Sequence, residues 1–347
     1  MQTRVCRLYG QNDLRIETET VATPAKDEVL VRVGAGGVCG SDMHYYFDGG
    51  IGLIRVREPI ILGHEASGTI VETGSNVSGL SAGQKIAINP SQPCGTCKYC
   101  AEELYQHCLN MRFFGSAMPM PHMQGLFRDL INVPASQCVP INDDVVLNDA
   151  ACAEPLAVCL HAASHAGDLH GKKVLVTGAG PIGSLCVAAA KRGGASEIVV
   201  TDLKDFALDI ARQMGATKTI NVAQNGEMLK QYEADKGYFD VCFECSAAPA
   251  ALGSAISTLR PQGILVQVGV AGELPVSFNA LVAKEITLTG SFRFHHEFAE
   301  AVDLINSGAI NVKPIITETF DVADAQKAIE TACNRDKSVK VQLSFAS

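Results

Sequence analysis

Between residues 29 and 88, apolar and polar positions form short strand-like runs at 29–33, 67–71 and 85–88. Turn formers such as Thr73, Gly74, Ser75 and Asn76 separate them. This spacing predicts an antiparallel, barrel-like β domain. From 90 to 124 the chain is rich in Cys, Met and Pro with little periodicity, which predicts loops carried on that domain. Beyond residue 151 the pattern changes. The runs at 173–177, 197–202, 239–243 and 263–268 are continuously apolar, and helix-like stretches separate them. Strands buried on both faces and alternating with helices predict a parallel sheet covered on both sides. The division expected is 1–150, 151–289 and 290–347, with a last strand at 339–343 and a C-terminal tail that rejoins the first domain. There is no internal repeat.

Composition narrows this picture. A chain of 347 residues is too long for one comfortable core, so two domains are expected. Hydrophobic residues at 47% and charged residues at 19% describe a globular protein. The net charge of −9 argues against nucleic acid or an anionic membrane as partner, because both require a basic face. The first residues contain no apolar core of a signal peptide. The most membrane-like stretch, 174–190, is broken by Gly178, Gly180, Pro181 and Gly183, which predicts strand, turn and helix rather than a span. Thirteen cysteines without a secretory signal imply a reducing, cytoplasmic setting, in which clustered thiols serve as metal ligands rather than disulfides.

Two motifs carry chemistry. Cys94, Cys97, Cys100 and Cys108 place four thiols on one short lobe, the donor set of a closed, structural tetrahedral zinc. A nucleic-acid-binding zinc module is the competing reading, but only Lys98 and Arg112 lie nearby as basic residues. Gly178, Gly180 and Gly183 form G-x-G-x-x-G with Pro181 and Ile182. A strand precedes the motif, a helix follows, and Asp202 closes the next strand nineteen residues after Gly183. That arrangement predicts a dinucleotide pyrophosphate at the helix N-terminus. Asp202 would accept the adenosine ribose hydroxyls and repel a 2′-phosphate, which favours NAD; Lys204 close by leaves NADP open.

Cys39, within the run from Gly37 to Asp42, and Gly63-His64-Glu65 add a thiolate, an imidazole and a carboxylate near strand ends. Together with the lobe, the glycine motif and the run Glu154-Pro155-Leu156-Ala157-Val158, in this order, the chain resembles the zinc-dependent medium-chain dehydrogenases along its whole length. The segments 41–46, 88–91, 111–118 and 290–294 resemble the polyol branch of that family. The resemblance implies a GroES-like β-barrel catalytic domain plus a doubly wound Rossmann domain, two zinc ions per chain, and NAD. It implies that a secondary alcohol and a ketone are interconverted on a sugar acid, with L-idonate and 5-keto-D-gluconate as the leading pair. Sorbitol or xylitol is the alternative substrate. A non-catalytic relative that keeps only the nucleotide and the cysteine lobe is the alternative of another class.

The same resemblance assigns positions. Cys39 and His64 would hold the catalytic zinc, with Glu65 as third group directly or through water and Glu154 as a nearby carboxylate. Ser41 and His44 would relay a proton, and Tyr45 would touch substrate. Arg112, His122 and Arg293 are the candidate cations for a substrate carboxylate. Val268, Gly269, Val270, Ser291, Phe292 and Arg293 would border the nicotinamide half of the cofactor. A homodimer or homotetramer is expected. His161 and His165, four residues apart, are read as packing on the helix that links the domains. Cys242 and Cys245 are read as part of a buried strand rather than a redox pair, and His295-His296 as a solvated pair or cleft rim.

Overall fold

The computed structural model describes residues 1–270 and 272–345. The N-terminal half is built on a seven-stranded sheet in the order Cys138–Pro140, Lys85–Ile88, Glu65–Thr73, Glu28–Gly37, Lys340–Ser344 and Ile316–Asp321, with Leu130–Pro134 also paired to Glu28–Gly37. Neighbours are antiparallel except the last two strands, which run parallel. Val29, Val31 and Val33 enter the core on one face of the Glu28–Gly37 strand; on the other face Arg32 is in solvent while Leu30 is buried, so that face is covered in part. A hairpin of Gln2–Gly10 and Asp13–Thr20 precedes this sheet and was not visible as a pattern. Its second strand is charged at every other position, and Glu17 and Glu19 pair across to Arg7 rather than with the core.

The second sheet has six parallel strands in the order Lys218–Asn221, Glu197–Asp202, Lys173–Thr177, Phe239–Glu244, Leu259–Gln267 and Thr287–Gly290. Val174, Leu175 and Val176 are all fully buried, because helices cover both faces of the sheet; this is why the run is apolar without alternation. The order reverses beside Lys173–Thr177, so the crevice for a ligand opens at the carboxyl ends of that strand and of Phe239–Glu244. The stretch 174–190 is the strand Lys173–Thr177 and the helix Pro181–Arg192. No helix among the described residues is long and apolar enough to cross a membrane.

The chain after residue 290 divides its packing. Phe294, Phe298, Ile305 and Val312 share a core with Val174 and Val176, and the helix Glu297–Asn306 lies on the helix Ala153–His165. Pairing with the first sheet begins at Ile316, and Lys340–Ser344 lies against the end of Glu28–Gly37. That return brings residue 340 beside residues 38 and 65.

Candidate active site and metal centres

The Glu28–Gly37 strand ends in a turn whose Cys39 caps the helix Gly40–Asp48. Asp42, three residues into that cap, is fully buried. One of its oxygens accepts the Cys39 N–H at 2.9 Å and the other the Gly63 N–H at 3.1 Å. One carboxylate thus ties together the two turns that carry Cys39 and His64. The Cys39 sulfur, a His64 ring nitrogen and a Glu65 oxygen lie within 4.8 Å of one another. Gly37 pairs with Glu65, and a Cβ at Gly37 would fall 2.0 Å from Glu65 Oε2, so only glycine leaves room for that side chain.

The sequence reading missed two members of this cluster. Asp42 is one. The other is Lys340, whose Nζ lies 2.8 Å from both Glu65 oxygens and 3.2 Å from the Val38 carbonyl oxygen, with both ionic side chains at most 2% exposed. A lysine in a C-terminal strand carries no local signal of such a role. Burial disfavours the charged form of His64, but the Cys39 sulfur, Asp42 and Glu154 outweigh it and push its pKa up to about 10. A cysteine sulfur, an imidazole nitrogen and a carboxylate oxygen held this close fit a divalent zinc ion, which would take the place of that proton. Glu154, in the first turn of Ala153–His165, is buried, and burial pushes it up to about 7 with Glu65 adding to the effect and His64 opposing it.

Arg293 has a left-handed backbone (φ 55°) and stacks its guanidinium 4.3 Å from the centre of the Phe113 ring, which lies 5.6 Å from the His64 ring. Its charge is felt by Glu154 and Tyr45. Tyr45 is buried, and its hydroxyl accepts the Ala117 N–H at 3.2 Å. Ser41 lies on the first turn of the Gly40–Asp48 helix, and His44 Nδ1, at the exposed side, is 2.8 Å from Asp48 Oδ2. Arg112 and His122 are elsewhere. They line a separate cavity of about 370 Å³ with Glu19, Arg128 and Asn132, and none of Cys39, His64, Glu65 or Glu154 borders it. Both His122 ring nitrogens face backbone groups, the Arg57 N–H at 2.9 Å and the Pro119 carbonyl at 2.9 Å.

In the cysteine lobe, Cys97 Sγ lies 3.6 Å from Cys100 Sγ and 3.9 Å from Cys108 Sγ. These match the edge of about 3.8 Å that four sulfurs make around zinc at about 2.3 Å. Backbone N–H groups of Cys94, Leu109 and Asn110 point at the sulfurs from 3.1 to 3.5 Å and favour thiolates. The lobe also reaches across the cleft: Tyr105 stacks on His295 at 4.1 Å and His107 on Phe292 at 5.9 Å.

At the glycine turn, Gly178 has φ 86°, and a Cβ on Gly183 would fall 1.8 Å from the Gly178 carbonyl oxygen. Gly180 caps the helix that begins with Pro181 and Ile182. Asp202 accepts the Ala179 N–H at 2.7 Å and the Lys204 N–H at 2.9 Å. Val268 and Gly269 donate to the Glu244 carbonyl, Val270 and Phe292 are exposed, and the Ser291 hydroxyl is buried without a partner. An unpaired hydroxyl beside exposed apolar surface fits a polar, planar ring such as nicotinamide. Of the tempting residues, His161 is buried with Nδ1 2.8 Å from Glu297 Oε1, Cys242 is fully buried in its strand, and His295 stacks on the lobe.

A barrel-type domain, a doubly wound sheet with a dinucleotide turn and two zinc-type donor clusters together define a zinc-dependent dehydrogenase. Residues 25–143 match the model of the alcohol dehydrogenase GroES-like domain and residues 181–307 that of zinc-binding dehydrogenases. The chain belongs to the zinc-dependent, medium-chain alcohol dehydrogenase family. It is 42% identical to L-idonate 5-dehydrogenase (NAD(P)(+)) of Escherichia coli over 99% of both chains. It is 35% identical to sorbitol dehydrogenase of Bacillus subtilis over 97% of this chain and 95% of that one. The crystal structure of the Escherichia coli L-idonate 5-dehydrogenase superimposes with a TM-score of 0.95 at 41% identity, covering 99% of each chain.

Proposed function

We propose that the protein oxidises a secondary hydroxyl of a sugar acid with NAD, reversibly, with L-idonate and 5-keto-D-gluconate as the substrate pair. The observation that carries the acid preference is Arg293, a cation stacked on Phe113 next to His64 in an otherwise anionic cleft. Arg112 and His122 border a different cavity, so the substrate carboxylate is assigned to Arg293.

Cys39 and His64 would hold the catalytic zinc. Glu65, whose two oxygens Lys340 bonds, would be the third group at the ion, directly or through water. Bound there, zinc supplies Lewis acidity that makes a substrate hydroxyl easier to deprotonate. Glu154, buried beside this cluster, would take and return that proton. Ser41 and His44 lead it outward to Asp48 and water, and Tyr45 shapes the substrate side. Cys94, Cys97, Cys100 and Cys108 hold the second zinc. The glycine turn with Asp202 binds the adenosine half of NAD, and 268–270 with Ser291, Phe292 and Arg293 border the nicotinamide half.

The catalytic unit is 1–150 with the returning tail, and the nucleotide unit lies between them. A homodimer or homotetramer fits the edge strand Thr287–Gly290, where Leu288 is exposed. Thirteen free cysteines fit a reducing cytoplasm.

The test is NADH formation across L-idonate, D-gluconate, sorbitol and xylitol. L-Idonate should lead, and Arg293→Met should raise KM for the acid more than for sorbitol. A clear preference for sorbitol would overturn the acid assignment in favour of the polyol reading.

A further inference from the structure

We propose that the turn at 334–337 is part of the dinucleotide site: Asp336 sets the preference for NAD over NADP by holding the Lys204 ammonium, and Arg335 faces the pyrophosphate. This rests on the reading of the glycine turn and Asp202 as the nucleotide site and names a device within it.

Two contacts place the turn there. A Cβ built on Gly180 would lie 3.2 Å from Arg335 Nη1, and Gly180 is the cap of the helix Pro181–Arg192, where a pyrophosphate would meet the free N–H groups. Independently, Asp336 Oδ1 lies 2.7 Å from Lys204 Nζ. The backbone N–H of Lys204 is bonded to Asp202, the carboxylate expected to take the ribose hydroxyls. The turn is held from below. The Asp336 N–H donates to Asn334 Oδ1 at 3.2 Å and the Lys337 N–H to the Asn334 carbonyl at 3.0 Å. The fully buried Ser338 donates its hydroxyl to the Thr331 carbonyl at 2.8 Å.

The consequence is electrostatic. Lys204 alone would offset Asp202 and give a 2′-phosphate a cationic partner. With Asp336 attached, a 2′-phosphate meets two carboxylates and one shared ammonium, whereas a 2′-hydroxyl meets an intact acceptor in Asp202. An exposed ion pair contributes little to stability. Discrimination between two cofactors needs only a difference in affinity, and repulsion of the wrong ligand supplies it. Arg335 lends its charge to the pyrophosphate that both cofactors share, so it strengthens both without choosing between them.

The experiment uses the full-length, zinc-loaded enzyme and measures equilibrium binding of NADH and NADPH by nucleotide fluorescence, apart from turnover. Asp336→Asn should tighten NADPH about threefold to tenfold and change NADH less than about twofold, the scale of one exposed charge pair. Adding Lys204→Ala to Asp336→Asn should cancel that gain. Arg335→Gln should weaken both nucleotides by a similar factor. An unchanged NADPH-to-NADH ratio in Asp336→Asn, or a gain that survives Lys204→Ala, would overturn the role of Asp336. Unaltered binding in Arg335→Gln would remove the turn from the site. Failure of the unaltered protein to bind either nucleotide would overturn the nucleotide reading itself, and this inference with it.

Discussion

The two zinc-type clusters are built on opposite principles. The four sulfurs of the lobe come from fifteen consecutive residues, and neighbouring backbone N–H groups steady them. The Cys39 cluster takes one donor from a helix cap and two from the start of a distant strand. A buried Asp42 ties the turns, and a lysine 275 residues beyond Glu65 supplies the counter-charge. A local cluster needs only spacing, whereas the dispersed one needs the whole first sheet to close. The local site can therefore serve as a clamp, while the dispersed one can have its charge balance tuned by groups that are not themselves donors.

The sharpest way to break this comparison is to remove one donor from each. Cys39→Ser should lower kcat/KM by about a thousandfold or more and leave one zinc per chain, with melting close to that of the parent. Cys100→Ser should also leave one zinc but keep measurable turnover, while limited proteolysis begins to cut between 94 and 110. Equal losses of activity in both variants would show the lobe to be as catalytic as the cleft.

Next in size is the buried pair. Lys340→Met leaves the Glu65 carboxylate without its partner, and chemical denaturation should record a loss of about 3 kcal/mol or more. Adding Glu65→Gln should recover part of it, because the uncompensated charge goes. Additive losses would mean that the pair is not coupled. A smaller effect is expected from Gly37→Ala, about 1 to 3 kcal/mol, because the new methyl group overlaps Glu65 Oε2. Zinc titration of that variant should show weaker binding in the cleft and unchanged binding in the lobe.

The smallest effect tests the packing of the helix Glu297–Asn306 on the helix Ala153–His165. Burial would raise the Glu297 pKa, but hydrogen bonds from His161 and the backbone N–H groups of His295 and Glu297 hold it at about 2 against an ordinary 4.5. A depressed carboxyl pKa stabilises the fold above pH 4.5, and that stabilisation is lost as pH falls toward 2. Glu297→Gln should be less stable than the parent at neutral pH, and the gap should close in acid. A gap that does not vary with pH would remove the pairing as its cause.

Legibility followed the range of the interactions. The cysteine lobe and the glycine turn could be read because their residues lie in one short stretch and the geometry follows from spacing. The parallel strands announced themselves because burial on both faces excludes polar residues. The N-terminal hairpin did not, since alternating Arg15, Glu17 and Glu19 describe an exposed edge as well as a loop. Arg112 and His122 were candidates, with Arg293, to meet a substrate carboxylate, chosen for charge. Charge alone does not decide which cavity a side chain borders, and both line the one beside Glu19, Arg128 and Asn132.

By itself, then, the sequence determined the class of fold, the cysteine clamp and the dinucleotide turn, because each is a short pattern whose residues constrain one another locally; Cys39, His64 and Glu65, apart in the chain, were legible only through the family resemblance. Only the tertiary structure decided that Lys340 pairs with Glu65, that Asp42 ties the Cys39 and His64 turns, that Arg293 stacks on Phe113 next to His64 while Arg112 borders another cavity, and that Asp336 holds Lys204. These four are charge-balancing or cleft contacts between distant parts of the chain. Charges act through space, so their partners are set by which strand or turn the fold returns to the site, and no spacing along the chain encodes that.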